Sequence, residues 1–141
     1  MSKEYRIQIG NSRAYIKLAI YKTVQSMRQR ISKDGGKDYS NTMGMFEPST
    51  YYENEMGETF YQEYIGTIYL NEDQLGSGVV AHECLHAAMA CERSYNRFGM
   101  KYDVLTCNDD EERLCYLLTD IIKHVYNLIY DNEHAIPGNT G

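Results

Sequence analysis

One stretch constrains the chain more than any other. In residues 78–92, Val79, Val80, Ala81, Cys84, Leu85, Ala87, Ala88, Met89 and Ala90 surround three polar residues, His82, Glu83 and His86. A segment this long and apolar reads as a largely buried helix, in which His and Glu without partners are costly. Residues four apart on a helix lie one above the other on the same face, so the imidazoles of His82 and His86 can grip one metal ion from one side. Glu83 is turned about 100° from His82. That places it beside the ion rather than on it, where it suits a base acting on a metal-bound water. The competing explanation is chance placement; against it, two of the chain's four histidines fall within this single turn.

The rest of the composition narrows the partners. With 141 residues the chain is sized for one domain, expected over residues 1–133, with a flexible tail at 134–141. An apolar fraction of 43% and a charged fraction of 24% are those of a soluble globular protein. A net charge of −6 argues against nucleic acid as a partner, because binding phosphates needs a clustered basic face. The first residues have no apolar signal core and no run reaches membrane-spanning length, so the expectation is a cytoplasmic protein without a membrane partner. Cys84, Cys91, Cys107 and Cys115 lack C-x-x-C spacing and are expected to be reduced, with Cys84 and Cys91 facing the core, against the first helix, and none of the four binding zinc.

The fold class expected is α+β: a small mixed or antiparallel sheet packed on an N-terminal helix, the His82–His86 helix and a C-terminal helix. Residues 5–9 alternate as a short strand, ended by Gly10 and Asn11. Ile16, Ile20, Thr23, Val24, Met27 and Ile31 recur at helical spacing, so residues 13–31 read as an amphipathic helix capped by Ser12. A Gly- and Lys-rich loop over 32–40 follows, then a strand at 42–47 closed by Pro48. Residues 51–64 hold Tyr and Glu in a pattern that fits an exposed loop or hairpin arm. Residues 64–70, dense in β-branched and aromatic side chains, make the clearest strand. Ser77 is placed to cap the metal helix and Gly99 to stop it. After a loop over 100–108, Asp109 to Glu112 put acids in the first turn of a last helix, whose Leu, Ile and Val residues recur to about Tyr130.

Catalytic zinc normally has three protein ligands and an open position. Glu92 is poorly placed, since six helical residues past His86 amount to about 240° of rotation. The acids that open the last helix are the better source, and helix geometry alone leaves Glu111 and Glu112 both open. Here the chain resembles a family. His82-Glu83-Cys84-Leu85-His86, followed by Glu112-Arg113-Leu114-Cys115-Tyr116, is similar to compact gluzincin metallopeptidase domains, above all the small zincin-like proteins of phages and bacteria. The likeness covers residues 64–130. It implies a zincin-like fold with Glu112 as third metal ligand, Glu111 being the alternative. Larger gluzincins carry an Asp where Tyr116 stands, and a phenol cannot supply that charge to a histidine.

The function expected is that of a zinc-dependent peptidase with one zinc per chain, held by His82, His86 and Glu112, and Glu83 as general base. Tyr116 and His124 are candidate oxyanion donors or supporting groups. An extended peptide or protein substrate would add to the free edge of the strand at residues 66–70. Two other functions fit the same residues: a zinc-stabilised, non-catalytic binding or regulatory protein of phage or mobile-element type, and a hydrolase of a non-peptide amide.

Overall fold

The computed structural model describes residues 2–10, 12–35, 42–49, 52–53, 59–60, 63–98 and 110–134. Strand β1 (Ser2–Gln8) pairs antiparallel with β2 (Tyr15–Tyr21). The turn between them is closed by Ile9 N–H donating to the Ala14 carbonyl (2.9 Å), with Gly10 at φ 57°. Glycine takes that left-handed conformation without the Cβ penalty other residues meet. Ser12, expected as a helix cap, instead braces this turn: its hydroxyl donates to the Ile9 carbonyl (2.6 Å) and accepts from Ala14 N–H (3.1 Å).

The helix expected over 13–31 is therefore two elements. β2 takes the first half, and helix α1 (Val24–Gly35) the second. Thr23 caps α1, its Oγ1 accepting from Ser26 N–H (3.1 Å), while the Asp73 carboxylate accepts from Val24 N–H (2.9 Å). The reason for the misreading lies in β2 itself. Ile16, Leu18 and Ile20 are buried on one face and Ala19 and Tyr21 on the other, so a strand covered on both sides shows no clean alternation. α1 also runs through Gly35, into the segment expected to be loop.

Strand β3 (Met45–Pro48), a short hairpin of β4 (Tyr52–Glu53) and β5 (Thr59–Phe60), and β6 (Tyr64–Asn71) follow. The four-stranded sheet has the order β1-β2-β6-β3, with β2 and β6 parallel and the other pairs antiparallel. It is a mixed sheet in an α+β protein with three α-helices among the described residues. After a 3-10 turn (Glu72–Gln74) come α2 (Ser77–Phe98) and α3 (Asp110–His134), which runs past the expected end at Tyr130. The first main-chain bond of α2 runs from Val80 N–H to the Gly76 carbonyl (3.2 Å), which makes Gly76 rather than Ser77 the capping residue. The expected helix stop at Gly99, the expected loop at 100–108, residues 36–40 of the one at 32–40 and nearly all of the tail lie outside the described residues.

The sheet separates two cores. One joins Ile7, Ile16, Leu18, Ile68 and Leu70 to α2 and α3; the other joins Ala19 and Tyr21 to Met27 and Ile31 of α1. Burying each large aliphatic side chain contributes about 1.5–3 kcal/mol. β6 lies at the centre, paired on both sides, and this corrects the expectation of a free edge there: the edge strands are β1 and β3. β3 packs so closely that a Cβ on Gly66 would sit 2.6 Å from the Glu47 carbonyl oxygen and 2.5 Å from Phe46 Cζ. Gly66→Ala is expected to cost about 1–3 kcal/mol through forced displacement of β3. Denaturant unfolding reads this directly, and an unchanged midpoint would show that the strand pair yields without cost.

Candidate metal centre

The rotation of α2 decides what its polar residues can do. Val80, Cys84, Ala87, Ala88 and Cys91 are fully buried, so small side chains form the face packed on the sheet and α3. His82 and His86, on the opposite side of the helix from Cys84, are exposed. The inward-facing cysteines are as expected, but they belong to the core shared with α3 rather than the one around α1. Burial and the neighbouring Glu83 push the Cys84 thiol up to about 12. Cys84 and Cys115 are free thiols.

The two imidazoles converge. Their Nε2 atoms are 3.2 Å apart, with the rings edge to face at 4.8 Å between centroids. Two nitrogens at about 2.0–2.1 Å from a tetrahedral zinc stand about 3.3 Å from each other, so the pair matches one edge of that polyhedron. Glu83 joins them: the ligand atoms of His82, Glu83 and His86 all lie within 4.8 Å of one another. Among the described residues this is the group of His, Cys, Asp and Glu side chains able to hold a metal.

Glu83 differs from its neighbours in being buried, with 6% of its surface exposed. Burial raises its pKa; the charges of His82 and His86, and the main-chain N–H of Phe46 donating to the carboxylate, act in the opposite direction. The segment before β3 covers it. A Cβ on Gly44 would lie 2.9 Å from Val79 Cγ1 and 3.2 Å from Glu83 Cγ, so only glycine lets the chain pass this close. A cleft of about 420 Å³ opens here between Thr42, Met43 and Gly44 on one side and Gly78, Val79, His82 and Glu83 on the other.

Two side chains outside any motif hold this wall. Asn71, fully buried at the end of β6, donates to the Met43 carbonyl (2.8 Å), and Arg28 of α1 donates to the Thr42 carbonyl (2.8 Å). Neither lies near the motif in sequence, and neither belongs to a recognisable pattern. Their role comes from the strand order.

The other expected residues are placed differently. Glu111 and Glu112 are exposed in the first turn of α3, outside the three-residue group, and Cys115 is exposed. Tyr116 is 53% exposed. His124 donates from Nδ1 to the Asp120 carbonyl oxygen (2.8 Å), with Asp120 Oδ1 at 3.6 Å. Glu92, discounted as a ligand on its rotation, is held by Arg113 in a two-pronged ion pair of 2.7 and 2.8 Å. The side chain of Arg113 is 3% exposed, so the pair joins α2 to α3 at a nearly dry point.

Removing one partner of a buried pair takes from the other its two-pronged counter-charge. Glu92→Gln is expected to lower stability by about 3–5 kcal/mol, and the double change Glu92→Leu with Arg113→Met to recover most of it. Thermal and denaturant unfolding of the three variants checks this; a single variant as stable as the wild type would remove the pair from the account. A second expectation concerns the thiols. In the native protein a thiol reagent should modify Cys115 and spare Cys84 and Cys91, which are buried. Peptide mapping by mass spectrometry after brief labelling reads the outcome, and rapid labelling of Cys84 would mean that α2 faces the other way.

No protein-family model, no curated protein and no solved structure matches this chain, so the chemistry of the site has to be argued from its own side chains.

Proposed function

We propose that the protein is a zinc-dependent peptidase with a zincin-like arrangement of its helices and sheet. The observation that carries this is the convergence of the His82 and His86 nitrogens at 3.2 Å beside a buried Glu83. A purely structural zinc has no use for that carboxylate, whereas a hydrolytic site needs a base at this position. His82 and His86 hold the metal, and α3 supplies a third ligand, at Glu112 in the family pattern, with Glu111 its neighbour. When bound, zinc lowers the pKa of water in its open position to about 7 and polarises a carbonyl.

Glu83 takes a proton from the attacking water and returns it to the leaving amine. Its burial suits this task, since a carboxyl with a raised pKa holds a proton more readily between the two steps. The polypeptide substrate lies along the cleft wall at Thr42–Gly44 and continues along the outer edge of β3, the edge strand beside Glu83. Tyr116 is the phenol left to assist the oxyanion.

A second reading has one observation in its favour. Leu85 and Met89, 41% and 43% exposed, place an apolar surface beside the histidines, which also fits a zinc-stabilised module that binds a protein without cleaving it.

Protein purified without chelators is expected to carry one zinc per chain, and His82→Ala or His86→Ala to lose it. Glu83→Gln is expected to keep the fold and the zinc while cleavage of a proteome-derived peptide library stops. Gln has the shape of Glu but cannot carry the proton. Metal content by elemental analysis and cleavage products by mass spectrometry separate the readings. A Glu83→Gln protein that still cleaves peptides would sink the catalytic role, and one that retains a biological effect without cleavage would favour the binding module.

A further inference from the structure

The sheet ends on two unlike edges. β3 is short, Met45–Pro48, and closes on a residue with no main-chain N–H to offer. β1 is longer, seven residues from Ser2 to Gln8 without a proline, and it pairs with β2 in unbroken register, without a bulge. Among the described residues no strand pairs with its outer side. Of the devices that blunt an exposed edge, β1 keeps only charge, at Lys3, Glu4 and Arg6.

Two hydrogen bonds show which main-chain groups of β1 face outward. Ile9 N–H donates to the Ala14 carbonyl within the β1–β2 hairpin, whereas Tyr15 N–H, opposite Gln8, donates away from β1 to the Glu63 carbonyl. Inward and outward groups alternate along a strand. Lys3, Tyr5 and Ile7 therefore bond β2, and Ser2, Glu4, Arg6 and Gln8 turn their N–H and C=O groups to the open side. Glu4 and Arg6 also share one face of the sheet, and both are exposed. Arg6 stands directly opposite Lys17 of β2, an arrangement of like charges that is destabilising. Its guanidinium lies over the Tyr15 ring, 3.5 Å from the centroid, a contact that engages its flat face and not the N–H groups on its rim. Among the described residues no carboxylate pairs with Arg6 or Lys17, and no cation with Glu4.

A second β1, running antiparallel, presents the same outward groups, and the order of the charges selects its register. Centred on Glu4, the pairing sets carboxylate against carboxylate; centred on Arg6, it sets guanidinium against guanidinium. Centred on Tyr5, it sets Glu4 opposite the partner's Arg6 and Arg6 opposite the partner's Glu4. Tyr5 is also the midpoint of Ser2–Gln8, so this register alone pairs the strand over its whole length. The two Tyr5 residues then meet across the axis at a non-hydrogen-bonded position, with Cα atoms about 4.5 Å apart, as an aromatic pair on the other face. We propose that the protein forms a two-fold dimer through β1 in this register, joining two four-stranded sheets into one continuous sheet. The Glu83 clefts, each beside β3 at the opposite edge, stay open in such a dimer, and the proposal is independent of what they do. An interface of one strand per subunit belongs to the small, reversible class, below about 1,200 Å².

The test is sedimentation equilibrium of the full chain from about 1 μM to about 1 mM, over which the mass is expected to rise from that of one chain to that of two. Glu4→Arg and Arg6→Glu each set like charges opposite one another at both pairs, and each should raise the dissociation constant at least about tenfold. Mixed in equal amounts, these two variants complement each other and should associate as a heterodimer. The double variant, Glu4→Arg with Arg6→Glu, exchanges both charges and should dimerise as the wild type does. A merely structural effect of either substitution would not be undone in the mixture or in the double variant. Circular dichroism verifies the fold of each protein, and if one single variant does not fold, the other and the double variant still decide. A wild type that stays monomeric, single variants that dimerise as well as the wild type, or a mixture and a double variant that both remain monomeric would each overturn the proposal.

Discussion

The site depends on how closely α2 packs against the sheet and α3. The inward face of this helix is made of Val80, Cys84, Ala87, Ala88 and Cys91, none longer than a valine. Small side chains let the helix axis approach its neighbours, and burial of that face fixes the rotation of the helix about its own axis. Once the rotation is fixed, every polar residue has an assigned place. Glu83, about 100° from His82, comes to lie against the sheet edge, while His82 and His86 face out. A helix with bulkier residues on its inward face would stand further off and leave Glu83 in water.

The burial of Glu83 follows from the strand order. β3 is the edge strand beside α2, and the residues leading into it pass over the carboxylate at Gly44. Hydrogen bonds from Asn71 and Arg28 to the Met43 and Thr42 carbonyls hold this segment. Phe46, the second residue of β3, offers Glu83 its main-chain N–H. The carboxylate thus meets opposed influences, burial favouring its neutral form and two imidazoles with one amide favouring its charged form. That balance is what a group needs if it is to take up and give back a proton within one reaction.

The ion pair between Glu92 and Arg113 sets the other boundary. It fixes the register of α3 against α2, and with it the residues of α3 that stand level with the histidines. Glu92 therefore acts between the two helices, outside the group formed by His82, Glu83 and His86. It ties α3 to α2, a role that its rotation on α2 alone would not reveal.

Much of this was legible in the residues. The spacing of His82 and His86 places them on one face of any helix, and the apolar run around them makes the helix pack its Cys84 side inward, although Leu85 and Met89 stay exposed beside the histidines. The inward direction of Cys84 and Cys91 follows from the same geometry, and β6 announces itself through β-branched and aromatic density. The tertiary structure alone decided the rest. β2 could not be told from a helix, since Ile16 and Ile20 satisfy a four-residue spacing as well as a two-residue one and a strand buried on both faces has no polar side to show its period. β6 proved central rather than an edge because strand order is set by which faces need covering, a property of the whole sheet. The placement of α3 is likewise a matter of register: the motif fixes angles around one helix, but only contacts such as Glu92–Arg113, 21 residues apart in sequence, fix how far the next helix has slid along it.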